Sequence, residues 1–221
     1  MWTYYGTKKR IAKHYPLPVN DTIVEPFAGS AQYSLFGNNW EKDVILFDKY
    51  DVIIKIWNYL INATIDDILN LPDLREGQNV DDFKMLSDEE RYLIGFCINP
   101  ASAMPKKTAR PRSRWNKNKI EISENIYKIK HWKAEVKDYK DIDNVNATWF
   151  IDPPYQHGGI YYRMNNKSID YNDLGNWCKS RRGQVIVCEN TKADWLDFNP
   201  LVEMNGQLHK TMESIYIQNN N

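Results

Sequence analysis

Short β-branched runs that hand over to apolar stretches of a different period constrain this chain more than any other feature. Thr22–Val24 opens the segment TIVEPFAGSAQYSLF, where Pro26 and small residues separate the run from a second apolar stretch. Strand, tight turn and helix are expected there. DVILFD (43–48) is a buried-type strand ending in Asp48, and in YDVIIKIWNYL the residues Ile53, Ile56, Trp57 and Leu60 then share one helical face. Two β–α units in succession predict an α/β fold, a doubly wound Rossmann-like sheet that is mostly parallel. The pattern returns with ATWFIDPPY (147–155), a strand ending at a stiff corner. DYNDLGNWCKSRRG (170–183) reads as a helix closed by Gly183, and QVIVCEN (184–190) as another buried strand. SIYIQ (214–218) alternates, as an edge strand or part of a terminal antiparallel hairpin would.

Between 61 and 133 no strong strand signal occurs. SDEERYLIGFCIN opens with a capping box, Ser87 with Glu90, and Ile122, Ile126 and Ile129 align on one face of EISENIYKIKHW. The expected organisation is one α/β domain built from 1–60 and 134–221, carrying a mostly helical insertion at 61–133. Formal net charge is zero, from 29 basic and 29 acidic residues, so global charge points to no polyanion. Its distribution does: 66–90 holds nine acids and two bases, whereas KKTARPRSRWNKNK (106–119) holds seven bases and no acid. That stretch suits a phosphate backbone, or is a solvated loop balancing the acids before it.

Three places suit chemistry. Asp48 ends a strand after a β–α unit, where an acid accepts from a ribose diol or caps the next helix. EPFAGSA (25–31) is the first strand–helix turn; its small residues admit a ligand close to the backbone, or make a tight turn only. It lacks GxGxxG, which argues against a dinucleotide site. At the DPPY corner, Asp152 would stand at the carboxyl edge of the sheet, where ligands bind. Pro153 and Pro154 lack N–H groups and stiffen the turn, and Tyr155 offers a ring face. An acceptor acid, an acceptor carbonyl and a ring suit a planar group bearing an exocyclic NH₂. The alternative is a proline-rich turn with a solvated acid.

DPPY after a hydrophobic strand resembles the catalytic motif of amino-methyltransferases of nucleobases, chiefly the adenine-N6 enzymes of Dam type, phage-encoded members among them. YYGTKK, EPFAGSA, DKYDVIIKIWN and EVKDYKDI fall in the matching order. Ala31 stands where many members have a second glycine. The resemblance implies a methyltransferase-type sheet with an antiparallel strand near the C-terminus, S-adenosylmethionine as cofactor and no metal. By position, Tyr5, Gly6 and Lys8 would close over the cofactor's methionine end. Glu25, Pro26, Phe27, Ala28, Gly29 and Ser30 would wall its pocket, Asp48 would hold the ribose, and Asp138 with Tyr139 would meet the adenine. Asp152, Pro153, Pro154 and Tyr155 would be catalytic, acting on an adenine flipped out of double-stranded DNA. The insertion would be the target-recognition region, with Lys106, Lys107, Arg110, Arg112 and Arg114 on phosphates and Trp115 as a stacking or wedge residue.

Other readings keep the chemistry on cytosine N4, RNA or another planar amide, or make the chain a non-catalytic nucleic-acid-binding module. His14, His131, His157 and His209 lack metal-ligand spacing, and Cys97, Cys178 and Cys188 form no CxxC. They read as reduced, buried thiols. The first ten residues lack a signal-peptide core and no apolar run is long enough to span a bilayer, so a cytoplasmic setting is expected.

Overall fold

The computed structural model describes residues 1–220 apart from 3, 100–101, 112, 159–161, 164–165 and 206–209. Seven strands form one sheet: β1 (Thr22–Glu25), β2 (Asp43–Asp48), β3 (Lys133–Val136), β4 (Ala147–Ile151), β5 (Gly183–Asn190), β6 (Asn199–Asn205) and β7 (Lys210–Asn220). Their order is β3-β2-β1-β4-β5-β7-β6. The first five are parallel; β7 runs antiparallel between β5 and β6. This is the expected doubly wound, Rossmann-like sheet. SIYIQ lies in the terminal hairpin, with β6 as the outer strand.

Period-two alternation divides the side chains between the two faces of the sheet. Ile23, Leu46, Phe150 and Ile186 join one hydrophobic cluster with Ile53, Ile56, Trp57 and Leu60 of α1 (Asp51–Asn62). Val24, Phe47, Trp149, Ile151, Val185 and Val187 join the other, with Leu174 and Cys178 of α5 (Tyr171–Lys179). Both faces are therefore covered, as a parallel sheet requires. The region 61–133 supplies α2 (Ile65–Leu69), α3 (Asp88–Cys97) and α4 (Trp115–Asn125). Leu93, Phe96, Trp115 and Ile122 belong to the α1-side cluster, so these helices share its core with the sheet. The Ser87–Glu90 capping box is present at α3, and Ile122, Ile126 and Ile129 are buried.

Three local expectations change. No α-helix follows β1; 31–38 is a chain of turns leading to a 3₁₀ turn at Asn39–Glu41. Ala31 adopts φ 44°, left-handed backbone that an α-helix excludes. Glu25 then accepts from Ser34 N (3.0 Å), and Asn39 Nδ2 donates to Tyr33 O (2.9 Å), so side chains take backbone groups a helix would pair. Gly183 does not close α5, whose C-cap is Ser180. It opens β5 at φ 93°, where a Cβ would lie 2.3 Å from the Ala147 carbonyl. Finally, Lys133–Val136 forms an edge strand beside β2, too polar and too exposed to show a strand pattern.

Candidate active site at the carboxyl edge of the sheet

Strand order reverses between β1 and β4, and side chains at their carboxyl ends face the crevice that this switch point creates. A cleft of about 910 Å³, its open mouth included, lies there. It is lined by Tyr5, Gly6, Lys8, Glu25, Pro26, Phe27, Ala28, Gly29, Ser30, Asp48, Asp138, Tyr139, Asp152 and Pro154. Segments far apart in the chain thus meet in one cleft. Pro153 and Tyr155 are not among its lining residues.

Asp48 lines the cleft but does not cap the next helix, whose N-cap is Tyr50. Oδ1 accepts from Tyr50 N (2.9 Å) at the entry to α1, and Oδ2 from Gly29 N (3.1 Å) in the EPFAGSA turn. Burial pushes its carboxyl up to about 6 despite those bonds. Gly29 is further fixed by Trp57 Nε1, which donates to its carbonyl (2.9 Å). Gly29 has φ 44°, and a Cβ there would come within 3.1 Å of the Tyr4 ring. Glu25 is buried, its Oε1 bound by Ser34 N and Oγ (2.6 Å), and burial pushes it up to about 8. Asp138 caps the 3₁₀ turn Tyr139–Asp141 and pairs with Lys49 (2.7 Å). Burial works to raise its pKa, but the bonds from Lys49 and the Lys140 amide win and lower it. The Phe27 and Tyr139 rings stand 5.7 Å apart at 33° beside it.

The DPPY corner follows β4. Pro153 is buried, and the Pro154 carbonyl accepts from Tyr171 Oη (2.5 Å). No hydrogen bond to the Pro153 carbonyl occurs among the described residues. Lys8 Nζ lies 3.1 Å from Asp152 Oδ1 and 3.3 Å from Glu213 Oε1. It also donates to Tyr155 Oη and stands 4.4 Å from the centre of that ring. Burial pushes Asp152 up to about 6; Lys8 opposes the shift and Glu213 adds to it. Lys8 is held protonated above its ordinary range: burial alone would lower its pKa, but the two carboxylates outweigh it.

Sequence reasoning missed Glu213 and Tyr162. Glu213 sits on β7 opposite Asn190, a place that strand pairing alone creates. Tyr162 lines the cleft, and its hydroxyl would lie 2.0 Å from a Cβ on Gly6, whose φ is 75°. It follows DPPY closely, so proximity to the motif was the available signal.

In the basic stretch, Lys106, Lys107, Arg110 and Arg114 are exposed, and Arg112 lies outside the described residues. Lys107 pairs with Asp81 (2.6 Å), partly neutralising it as the balanced-loop reading expects. Trp115 is corrected: it is 0% exposed, and Nε1 donates to Pro72 O (2.8 Å). It has no face to offer a base. Lys119 is also buried, on Leu71 O and Asp73. His157 is exposed and all three cysteines are buried and free; His209 lies outside the described residues. Among the described residues, no cluster of three or more His, Cys, Asp or Glu is placed to hold a metal, and no helix is long and apolar enough to cross a membrane.

No family model matches the chain, and no curated protein does. Among solved structures, the rRNA methyltransferase aviRa from Streptomyces viridochromogenes aligns with a TM-score of 0.43 at 8% identity, over 94% of this chain and 80% of that one. A likeness of that size bears on neither substrate nor chemistry.

The donor set of the cleft fits S-adenosylmethionine. Asp48 and Asp138, at the ends of the neighbouring strands β2 and β3, offer carboxyl acceptors, tight-turn backbone at Ala28–Ser30 lets a ligand approach, and Phe27 and Tyr139 supply apolar ring surface. Asp48 and Asp138 would hold the ribose hydroxyls and adenine amine, and the turn and the Tyr5–Lys8 segment the methionine end.

Proposed function

We propose that this chain is an S-adenosylmethionine-dependent methyltransferase acting on the N6 amino group of an adenine flipped out of duplex DNA. The observation that carries the reading is that Asp152, at the end of β4, shares one cleft with Asp48 and Asp138. When bound, the cofactor supplies a methyl carbon on a sulfonium, which the amine's lone pair attacks as the C–S bond breaks. The protein's part is positional and electrostatic. Asp152 and the Pro153 carbonyl accept the two N–H bonds of the amine, which draws its lone pair out of conjugation. Asp152 then takes the proton that the methylated nitrogen sheds. Tyr155 gives the base a stacking face.

The basic loop supports a nucleic-acid substrate. Ser102 O, just before it, accepts from Tyr5 N (3.3 Å), which ties the loop's base to a segment lining the cleft. Exposed Lys106, Arg110 and Arg114 would meet phosphates there. A duplex base must leave the stack to reach Asp152.

Incubation with labelled cofactor and unmethylated duplex DNA, followed by digestion, tests this. N6-methyladenine is expected. N4-methylcytosine, or transfer to RNA alone, would change the acceptor. No transfer by folded protein that binds DNA would favour a non-catalytic module. Asp152→Ala should lower transfer on the order of 10²–10³-fold with cofactor affinity largely kept. Because Asp152 titrates at about 6 and must be ionised to accept, transfer by the wild type should fall below that pH.

A further inference from the structure

We propose that Glu213 is a positioning residue that retains the Lys8 ammonium when a substrate amine displaces it from Asp152. In the free protein Lys8 occupies the acceptor the substrate needs, 3.1 Å from Asp152 Oδ1, and stands at the hydroxyl end of the Tyr155 ring, 4.4 Å from its centre. Its side chain is 10% exposed, so it has little water to retreat into. An incoming neutral amine competes for Asp152, and a buried ammonium left without a counter-charge would oppose its entry strongly.

Glu213 removes that obstacle. Its carboxylate is 8% exposed, 3.3 Å from Lys8 Nζ. Tyr15 Oη and Tyr155 Oη each donate to its Oε1 at 2.6 Å. The Glu213 backbone belongs to β7, paired opposite Asn190 of β5, and Tyr15 binds its carboxylate from outside the DPPY corner. The ammonium therefore exchanges a two-carboxylate bridge for one carboxylate and never becomes unpaired. The same small shift frees Asp152 and clears the hydroxyl end of the Tyr155 ring. Through Tyr155 Oη, Glu213 also fixes the ring's position.

This rests on the transfer to a base amine proposed above, but one of its tests does not. Acylation of surface-accessible amines, read by peptide mass spectrometry, reports on Lys8 without turnover. Lys8 should be protected in the wild type and in Asp152→Asn, and become reactive in Asp152→Asn/Glu213→Gln. If Asp152→Asn alone frees Lys8 as fully as the double variant, Glu213 does not retain it and the proposal fails. In turnover, Glu213→Gln should lower kcat with DNA about tenfold or more and leave the affinity for S-adenosylhomocysteine within about twofold. Glu213→Asp should restore part of the loss, which a purely structural defect would not predict. Unchanged kcat in Glu213→Gln would also overturn it. Should Glu213→Gln not fold, Glu213→Met, which removes the charge and keeps the length, carries both measurements. If the wild type methylates nothing while the acylation pattern holds, the proposed reaction falls and the retention of Lys8 stands.

Discussion

At the scale of single residues, the cleft concentrates buried acids that cost the fold something. Glu25, Asp48 and Asp152 are all pushed up by burial, Glu25 furthest, to about 8. An unfolded glutamate loses its proton near its ordinary value while folded Glu25 keeps its own, so the folded state binds more protons between the two. Stability then declines as pH rises through that window. Asp48 and Asp152 act the same way, with midpoints at about 6. Glu25, the furthest raised of the three, carries the decline to the highest pH. Glu25→Gln, which keeps an oxygen for the Ser34 bonds, should flatten urea midpoints over the Glu25 window. Equal slopes for variant and wild type would mean that Glu25 is ionised throughout. Asp48 and Asp152 were legible in the sequence because each follows or ends a recognisable strand, whereas Asp138 came only from the resemblance of EVKDYKDI, since the strand before it shows no pattern. Glu213 was not legible, since it stands in an alternating run with nothing local to mark it.

At the scale of elements, helices and strands with strong periodicity came out as read: α1 with its single apolar face, β2, β4 and β5 as apolar runs. The segment after β1 did not. Its apolar spacing fits a helix, but Ala31 at φ 44° and the side-chain bonds of Glu25 and Asn39 break the backbone ladder. Those bonds depend on side chains meeting in three dimensions. At α3 the local signal was sufficient, because a capping box is made within four residues of chain. Ser87 Oγ accepts from Glu90 N and Glu90 Oε2 from Ser87 N (2.7 Å). Ser87→Ala should cost about 1 kcal/mol of stability by chemical denaturation. A change near zero would show that tertiary packing of Leu93, Ile94 and Phe96, not the cap, sets where α3 begins.

At the scale of the whole molecule, the basic stretch decides how the cleft would find a polyanion. Of the bases read there as phosphate contacts, Lys107 is committed to Asp81, while Lys106, Arg110 and Arg114 are exposed. Replacing those three together with Gln should reduce the slope of log affinity against log salt for DNA by about 2–3. An unchanged slope would remove the loop from the interface. The sequence by itself determined the doubly wound α/β class, the strand ends that carry acids, and the DPPY corner. Each is written in short-range patterns of period, cap and proline, which depend on neighbours in the chain. Only the tertiary structure decided that Trp115 packs inside, that Gly183 opens a strand against Ala147, and that Lys8 bridges Asp152 to Glu213. Burial and charge pairing are properties of space: β7 must insert between β5 and β6 before residue 213 can face residues 8 and 152.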